Sequence, residues 1–186
     1  MITSGPNRPS HKSAEYRTQI DDPGCREQLL VALRWLWQRE GPPEAILCIG
    51  TDRATGDALG PLIGTELMSW SRLPCKIYGT LDRPLHASNL APLITSAPVL
   101  QRARTLAIDA SLGRAEDVGV IAVGIGPLHP GAGVQKTLPP IGHYHLTGTV
   151  NMGGFMDYYV LQNTRLALVM RMAQTIAESV KLSLGF

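Results

Sequence analysis

Ala45-Ile46-Leu47-Cys48-Ile49-Gly50-Thr51-Asp52-Arg53-Ala54-Thr55-Gly56-Asp57-Ala58-Leu59-Gly60-Pro61 is the stretch on which the fold turns. Its first residues form an unbroken apolar run ending at Gly50, the pattern of a strand covered on both faces. A polar loop follows, and a helical pattern runs from Gly60 to Trp70 with Pro61 in its first turn, where a missing N–H costs nothing. Strand, loop and helix in that order make the first half of a βαβ unit.

The same alternation continues outward. Upstream, Leu29, Leu30, Leu33, Leu36 and Trp37 draw one helical stripe that ends at Gly41-Pro42. Downstream, Cys75 to Leu81 reads as a strand, and Asn89 to Arg102 as helical turns interrupted by Pro92 and Pro98. Thr105 to Ala110 and Val118 to Ile125 are two further apolar strands. A Gly/Pro-rich stretch from Gly126 to Gly142 precedes a short strand over His143 to Val150. Leu161, Leu168, Val169, Met172, Ala173, Ile176 and Val180 mark a long C-terminal helix. The alternation predicts an α/β fold with a mostly parallel central sheet, its strands joined by helical crossovers. Met1 to Gly24 is polar and rich in Pro and Gly, and reads as a flexible N-terminal tail; residues 25–186 read as a single α/β domain.

Composition narrows the function classes. Seventeen Lys and Arg against fifteen Asp and Glu leave a net charge of +2, with no run of either sign, which argues against a nucleic-acid partner or a membrane surface. Three cysteines, Cys25, Cys48 and Cys75, are odd in number and lack paired metal spacing, as expected of a reducing compartment. No apolar run approaches the ~20 residues that span a bilayer, so the expected location is the cytoplasm.

In open α/β sheets, ligands sit beyond the carboxyl ends of the strands. Two acids fall there. Asp57 lies four residues before Pro61, before the helix or at its very start, where free backbone N–H groups and the helix dipole can hold a carboxylate. Asp109 closes the apolar run Leu106-Ala107-Ile108, a costly place for an acid unless it is paired, hydrogen-bonded or functional. Each admits a structural reading as a cap or turn residue. Together, on one side of one sheet, they can share a proton, hold a water or bind a metal. His129, in the glycine-rich stretch after the Val118 to Ile125 strand, is placed on the same edge as the acids; that stretch lacks the Lys-Ser/Thr ending of a phosphate loop, which argues against nucleotide binding. His143 and His145 alternate on their strand and should face one side. Asp52, Arg53, Asp82, His86 and Asn151, also in loops after strands, are secondary candidates.

Thr55-Gly56-Asp57-Ala58-Leu59-Gly60-Pro61, Ile108-Asp109-Ala110 and His129-Pro130-Gly131-Ala132-Gly133-Val134 resemble, in the same order, motifs of the spore germination protease family. The chain is more similar still to the shorter YyaC-type sporulation proteins, through Cys48 to Arg53, Tyr78 to Asp82, Thr147 to Asn151 and Leu161 to Leu166. The resemblance implies a three-layer phosphorylase/hydrolase-like fold akin to the hydrogenase maturation peptidases, in a sporulating cell or spore. It implies Asp57 and Asp109 as catalytic acids acting on a spore protein or peptide. From the maturation peptidases it implies a divalent metal on Asp57, Asp109 and His129. The chain departs from the protease in being considerably shorter and in the charged Asp52-Arg53 before Asp57. Three readings stay open: an aspartate-dependent peptidase, a non-catalytic sporulation factor binding a peptide or divalent metal in the same acidic pocket, and a metal-dependent hydrolase.

Overall fold

The computed structural model describes residues 15–70, 73–97, 100, 103–130 and 140–185. Its centre is a six-stranded sheet built from β1 (Glu15–Gln19), β2 (Ala45–Cys48), β3 (Lys76–Tyr78), β4 (Thr105–Gly113), β5 (Val120–Ile125) and β6 (Tyr144–Met152). In space the order is β1-β5-β6-β4-β2-β3. β3, β2, β4 and β6 run parallel, whereas β5 is antiparallel to both of its neighbours, β6 and β1. The helices are α1 (Cys25–Glu40), α2 (Leu59–Met68), α3 (Ala87–Ser96), α4 (Asp157–Gln162) and α5 (Leu166–Ser183), with a 3₁₀ turn at Gly56–Ala58 leading into α2.

The sheet is mostly parallel and flanked by helices, as its alternating pattern requires. α1, α2 and α5 pack side by side over one face. Leu29, Leu33, Leu36, Leu59, Ile63, Met172 and Ile176 bury themselves there against Ile46, Ile108, Ile121 and Leu146. The opposite face carries a smaller core of Ala45, Leu47, Ile49 and Ala107 under Leu90 of α3, completed by Leu128 and Ile141, which bridge to each other across the β5–β6 connection. Each fully buried leucine or isoleucine contributes about 1.5–3 kcal/mol, so the two cores hold the layers together.

Two expectations need correction. The expected tail does not begin the fold at Cys25: Glu15–Gln19 is an edge strand, paired along its whole length with β5. Thr18, buried, donates its hydroxyl to Gln28 Oε1 at 2.8 Å, and Arg17 meets Asp117 at 2.7 Å. A strand held by backbone pairing and polar contacts leaves little apolar periodicity to read. Met1 to Ala14 lie outside the described residues. The second correction concerns direction. Only residues 114–119 separate β4 from β5, with one 3₁₀ turn (Ala115–Asp117) between them. That is too short for the helical crossover a parallel connection needs, so the chain reverses.

At the C-terminus the anticipated single helix is two. Leu161 belongs to α4, and Asn163 and Thr164 interrupt the path before α5 begins at Leu166. Among the described residues no helix is long and apolar enough to cross a membrane.

Deleting residues 1–20 removes β1 and strips the antiparallel ladder from β5. The expected cost is on the order of 2–4 kcal/mol, read as a lower melting temperature with faster amide exchange in β5. An unchanged melting temperature would show that β1 contributes nothing to the sheet.

Candidate active site

Asp57 is positioned by a backbone constraint. Gly50 leaves β2 with a φ of +140°, and the carbonyl of Asp57 lies against the space its Cβ would fill. Thr51 N donates to that same carbonyl at 3.1 Å, so the loop from Thr51 to Gly56 closes on itself. The 3₁₀ turn therefore sits directly over the end of β2 and presents Asp57 there. Among the described residues no hydrogen-bond donor reaches its carboxylate; Asp57 does not use its side chain as a helix cap.

Asp109 comes from the neighbouring strand. Along β4 the side chains alternate, so Leu106 and Ile108 enter the larger core while Ala107 enters the smaller; Asp109 continues the Ala107 side. It is 9% exposed, opposite Thr147 of β6, and its Oδ1 accepts the N–H of Ala110 at 2.8 Å. Ile49 N donates to Ile108 O at 2.7 Å, so β2 ends opposite Ile108 while β4 runs on to Gly113; Asp109 lies one residue past that level, inside its strand and near enough for the charge of Asp57 to act on it.

The charge of Asp57 acts on Asp109. Burial, reinforced by the charge of Asp57, holds the Asp109 pKa well above the usual carboxylate value; the Ala110 N–H opposes this weakly. Burial also raises Asp57, and His86 pulls it back down. Asp109 is thus the group that keeps a proton, and Asp57 the one that ionises first.

His86 reaches this site through α3. Gly50 N donates to Leu85 O at 2.8 Å, so the residue before His86 is tied to the glycine beneath Asp57. His86 is the N-cap of α3: its Nδ1 accepts Ser88 N at 3.3 Å, and its own N–H donates to Asn89 Oδ1 at 2.8 Å. Sequence reading ranked His86 second. The bridge between Ile49 and Leu85 places it here, and no local pattern announces that pairing.

The other candidates lie elsewhere. His129, expected beside the acids, is exposed; because β5 is antiparallel, it ends with Ile125 opposite Tyr144, which pairs with Leu106 rather than with Asp109, and His129 follows from that end. Among the described residues no three His, Cys, Asp or Glu side chains gather as a metal-holding group. Gly131 to Val134 lie outside the described residues. His145 faces β1, with Nε2 3.5 Å from Glu15 Oε1 and Nδ1 3.1 Å from Gly126 O; His143 precedes β6 and packs edge-on against Tyr144. Asp52, Arg53 and Asp82 are exposed. Asn151 is a structural tie: its Nδ2 donates to Val160 O and Thr164 Oγ1, fastening β6 to α4.

An α/β protein with a buried acid inside β4 and a half-buried acid in the turn beyond β2 is therefore the class this chain defines. Residues 17–179 match the family described as protein of unknown function (DUF1256), and the chain belongs to that family. It is 44% identical over 170 residues to YyaC, an uncharacterized protein of Bacillus subtilis (strain 168), covering 91% of this chain and 83% of that one. A search of solved structures aligned it with a [NiFe] hydrogenase maturation protease, HycI, from Thermococcus kodakarensis KOD1, over 81% of this chain and 99% of the other, at 15% identity and a TM-score of 0.41.

The raised pKa of Asp109 has a signed consequence. A carboxyl whose folded pKa lies above its ordinary 3.8 binds more protons folded than unfolded, so its contribution to stability falls as pH rises above about 4. Asp109→Asn removes that penalty. It should raise the melting temperature near pH 7 by about 2–5 °C, with the gain vanishing below pH 4. A variant less stable than wild type at both pH values would show that the carboxyl is a structural support.

Proposed function

We propose that this protein is a peptidase in which Asp57 and Asp109 act as a proton-sharing pair on a peptide bond of a sporulation-associated protein. The observation that carries the reading is the asymmetry of the pair: two neighbouring carboxyls, one deeper and held protonated, the other shallower and eased toward ionisation by His86. Environments that push two acids apart assign them the roles of base and acid.

In this reading Asp57, ionised, takes the proton from a water poised between the two groups, and the water oxygen attacks the peptide carbonyl carbon. Asp109, protonated, donates a hydrogen bond to the carbonyl oxygen as negative charge develops on it. Collapse of the tetrahedral intermediate breaks the C–N bond, and the proton held by Asp57 passes to the leaving amine. Burial strengthens both interactions, because a low-dielectric surround screens them weakly. The motif resemblance at Asp57 and Asp109 to the spore germination proteases supports the same two residues.

A single experiment divides this from a binding role. Wild type, Asp57→Asn and Asp109→Asn are incubated with a spore-core protein extract, with and without divalent ions, and the products are read by mass spectrometry. Each replacement should lower cleavage at least about 10³-fold while the folded chain remains intact. Cleavage that survives both would remove the acids from the reaction. Absence of cleavage by wild type, with tight binding of a peptide or a divalent ion lost in both variants, would establish the acidic pocket as a binding site.

A further inference from the structure

Met152, Phe155, Met156, Tyr158, Tyr159 and Leu166 are all exposed within one fifteen-residue stretch, Phe155 at 83%. A concentration of this kind marks a surface that binds something. It surrounds a groove of about 470 Å³, lined on its apolar side by Met152, Phe155, Tyr159 and Val160 and on its polar side by Asn151 and Asn163. That volume suits a bulky side chain with flanking backbone.

The groove is a fixed shape. Asn151 ties its floor to α4, and Gly154 N donates to Asp157 Oδ1 at 2.8 Å. Met156 is held left-handed at a φ of 55°, alone among the described non-glycine residues, with Tyr159 N donating to its carbonyl at 2.8 Å. α4 also rests on the turn that carries Asp57. A Cβ on Gly56 would stand 2.9 Å from both Leu161 Cδ2 and Thr164 Oγ1, so the helix behind the groove and the residue beside Asp57 are in direct contact.

Charge narrows the occupant. No carboxylate lines the groove, and the nearby Asp157 is engaged by Gly154. Arg165, at the start of α5, and Arg53, in the loop leading to Asp57, are exposed and pair with no carboxylate among the described residues. We propose that this groove docks an extended peptide segment with bulky apolar side chains and acidic flanks, and so leads a substrate chain toward Asp57. The proposal deepens the peptidase reading and rests on it for the direction of the chain.

The probe is a fluorescein-labelled peptide, Asp-Ala-Phe-Leu-Ala-Phe-Asp, compared with its counterpart bearing Ser for Phe and Leu, both titrated by fluorescence anisotropy. Wild type should prefer the apolar peptide by about tenfold or more. Phe155→Ser and Tyr159→Ser should each weaken it at least about fivefold, and Arg165→Glu should weaken it in a salt-dependent way. These side chains are exposed, so an unchanged melting temperature checks the fold. Val31→Ser, an exposed apolar change on α1 outside the groove, should bind as wild type. Docking by wild type that cleaves nothing would keep the groove and end the peptidase reading. Equal affinity for the two peptides, or binding of neither, would overturn the proposal, as would a dimer in sedimentation that Phe155→Ser turns into monomer.

Discussion

Two glycines on α2 press that helix onto bare backbone. The Cα of Gly60 faces the carbonyl of Ile49, and that of Gly64 faces the carbonyl of Gly79; a methyl group at either would occupy the space of an oxygen. The helix thus lies nearer to β2 and β3 than any side chain would allow, and the turn before it has one place to go. Asp57 is set over Gly50 by the same closeness, and Gly79 in turn approaches the carbonyl of Cys48. The placement of Asp57 follows from this contact. A bulkier residue at any of these glycines would move the carboxylate before it moved the core.

The contact also explains why the acids can afford to be strained. Ile46, Cys48, Leu106 and Ile108 point into one core, and Leu47, Ile49 and Ala107 into the other. Asp109 stands where the second core ends, and burial there costs a carboxylate its hydration. The apolar packing around it exceeds that cost, and the proton it retains lessens it. Stability elsewhere therefore sustains a locally unfavourable acid.

Much of this was legible from residues alone. A proline four residues after Asp57 places that acid beyond β2 without a structure, whereas Asp109, read as closing its strand after the apolar run to Ile108, lies inside β4, which continues to Gly113. The direction of β5 was less legible, because Val120 to Ile125 is apolar either way round; only the short link from Gly113 carried the information. β1 escaped because its buried residue is Thr18, whose hydroxyl is satisfied by Gln28 and leaves no hydrophobic period. The division between α4 and α5 was hidden by phase, as Leu161 and Leu168 lie seven residues apart and stay on one stripe. His86 depended on a bridge between strand and loop that spans 36 positions, from Ile49 to Leu85.

The pairing of β1 with β5 has a temporal side. Arg17 and Asp117, which meet across it, are separated by 100 residues of chain. During synthesis the first strand leaves the ribosome long before its partner exists, and β5 itself stays unpaired on its other side until β6 follows. For most of translation, then, residues 15–19 have no strand of their own to join, and the sheet, whose β3–β2–β4 side is made first, closes toward β1 only as the last third of the chain appears. Its polar composition, Glu15-Tyr16-Arg17-Thr18-Gln19, suits a segment that must wait in water without finding a wrong partner.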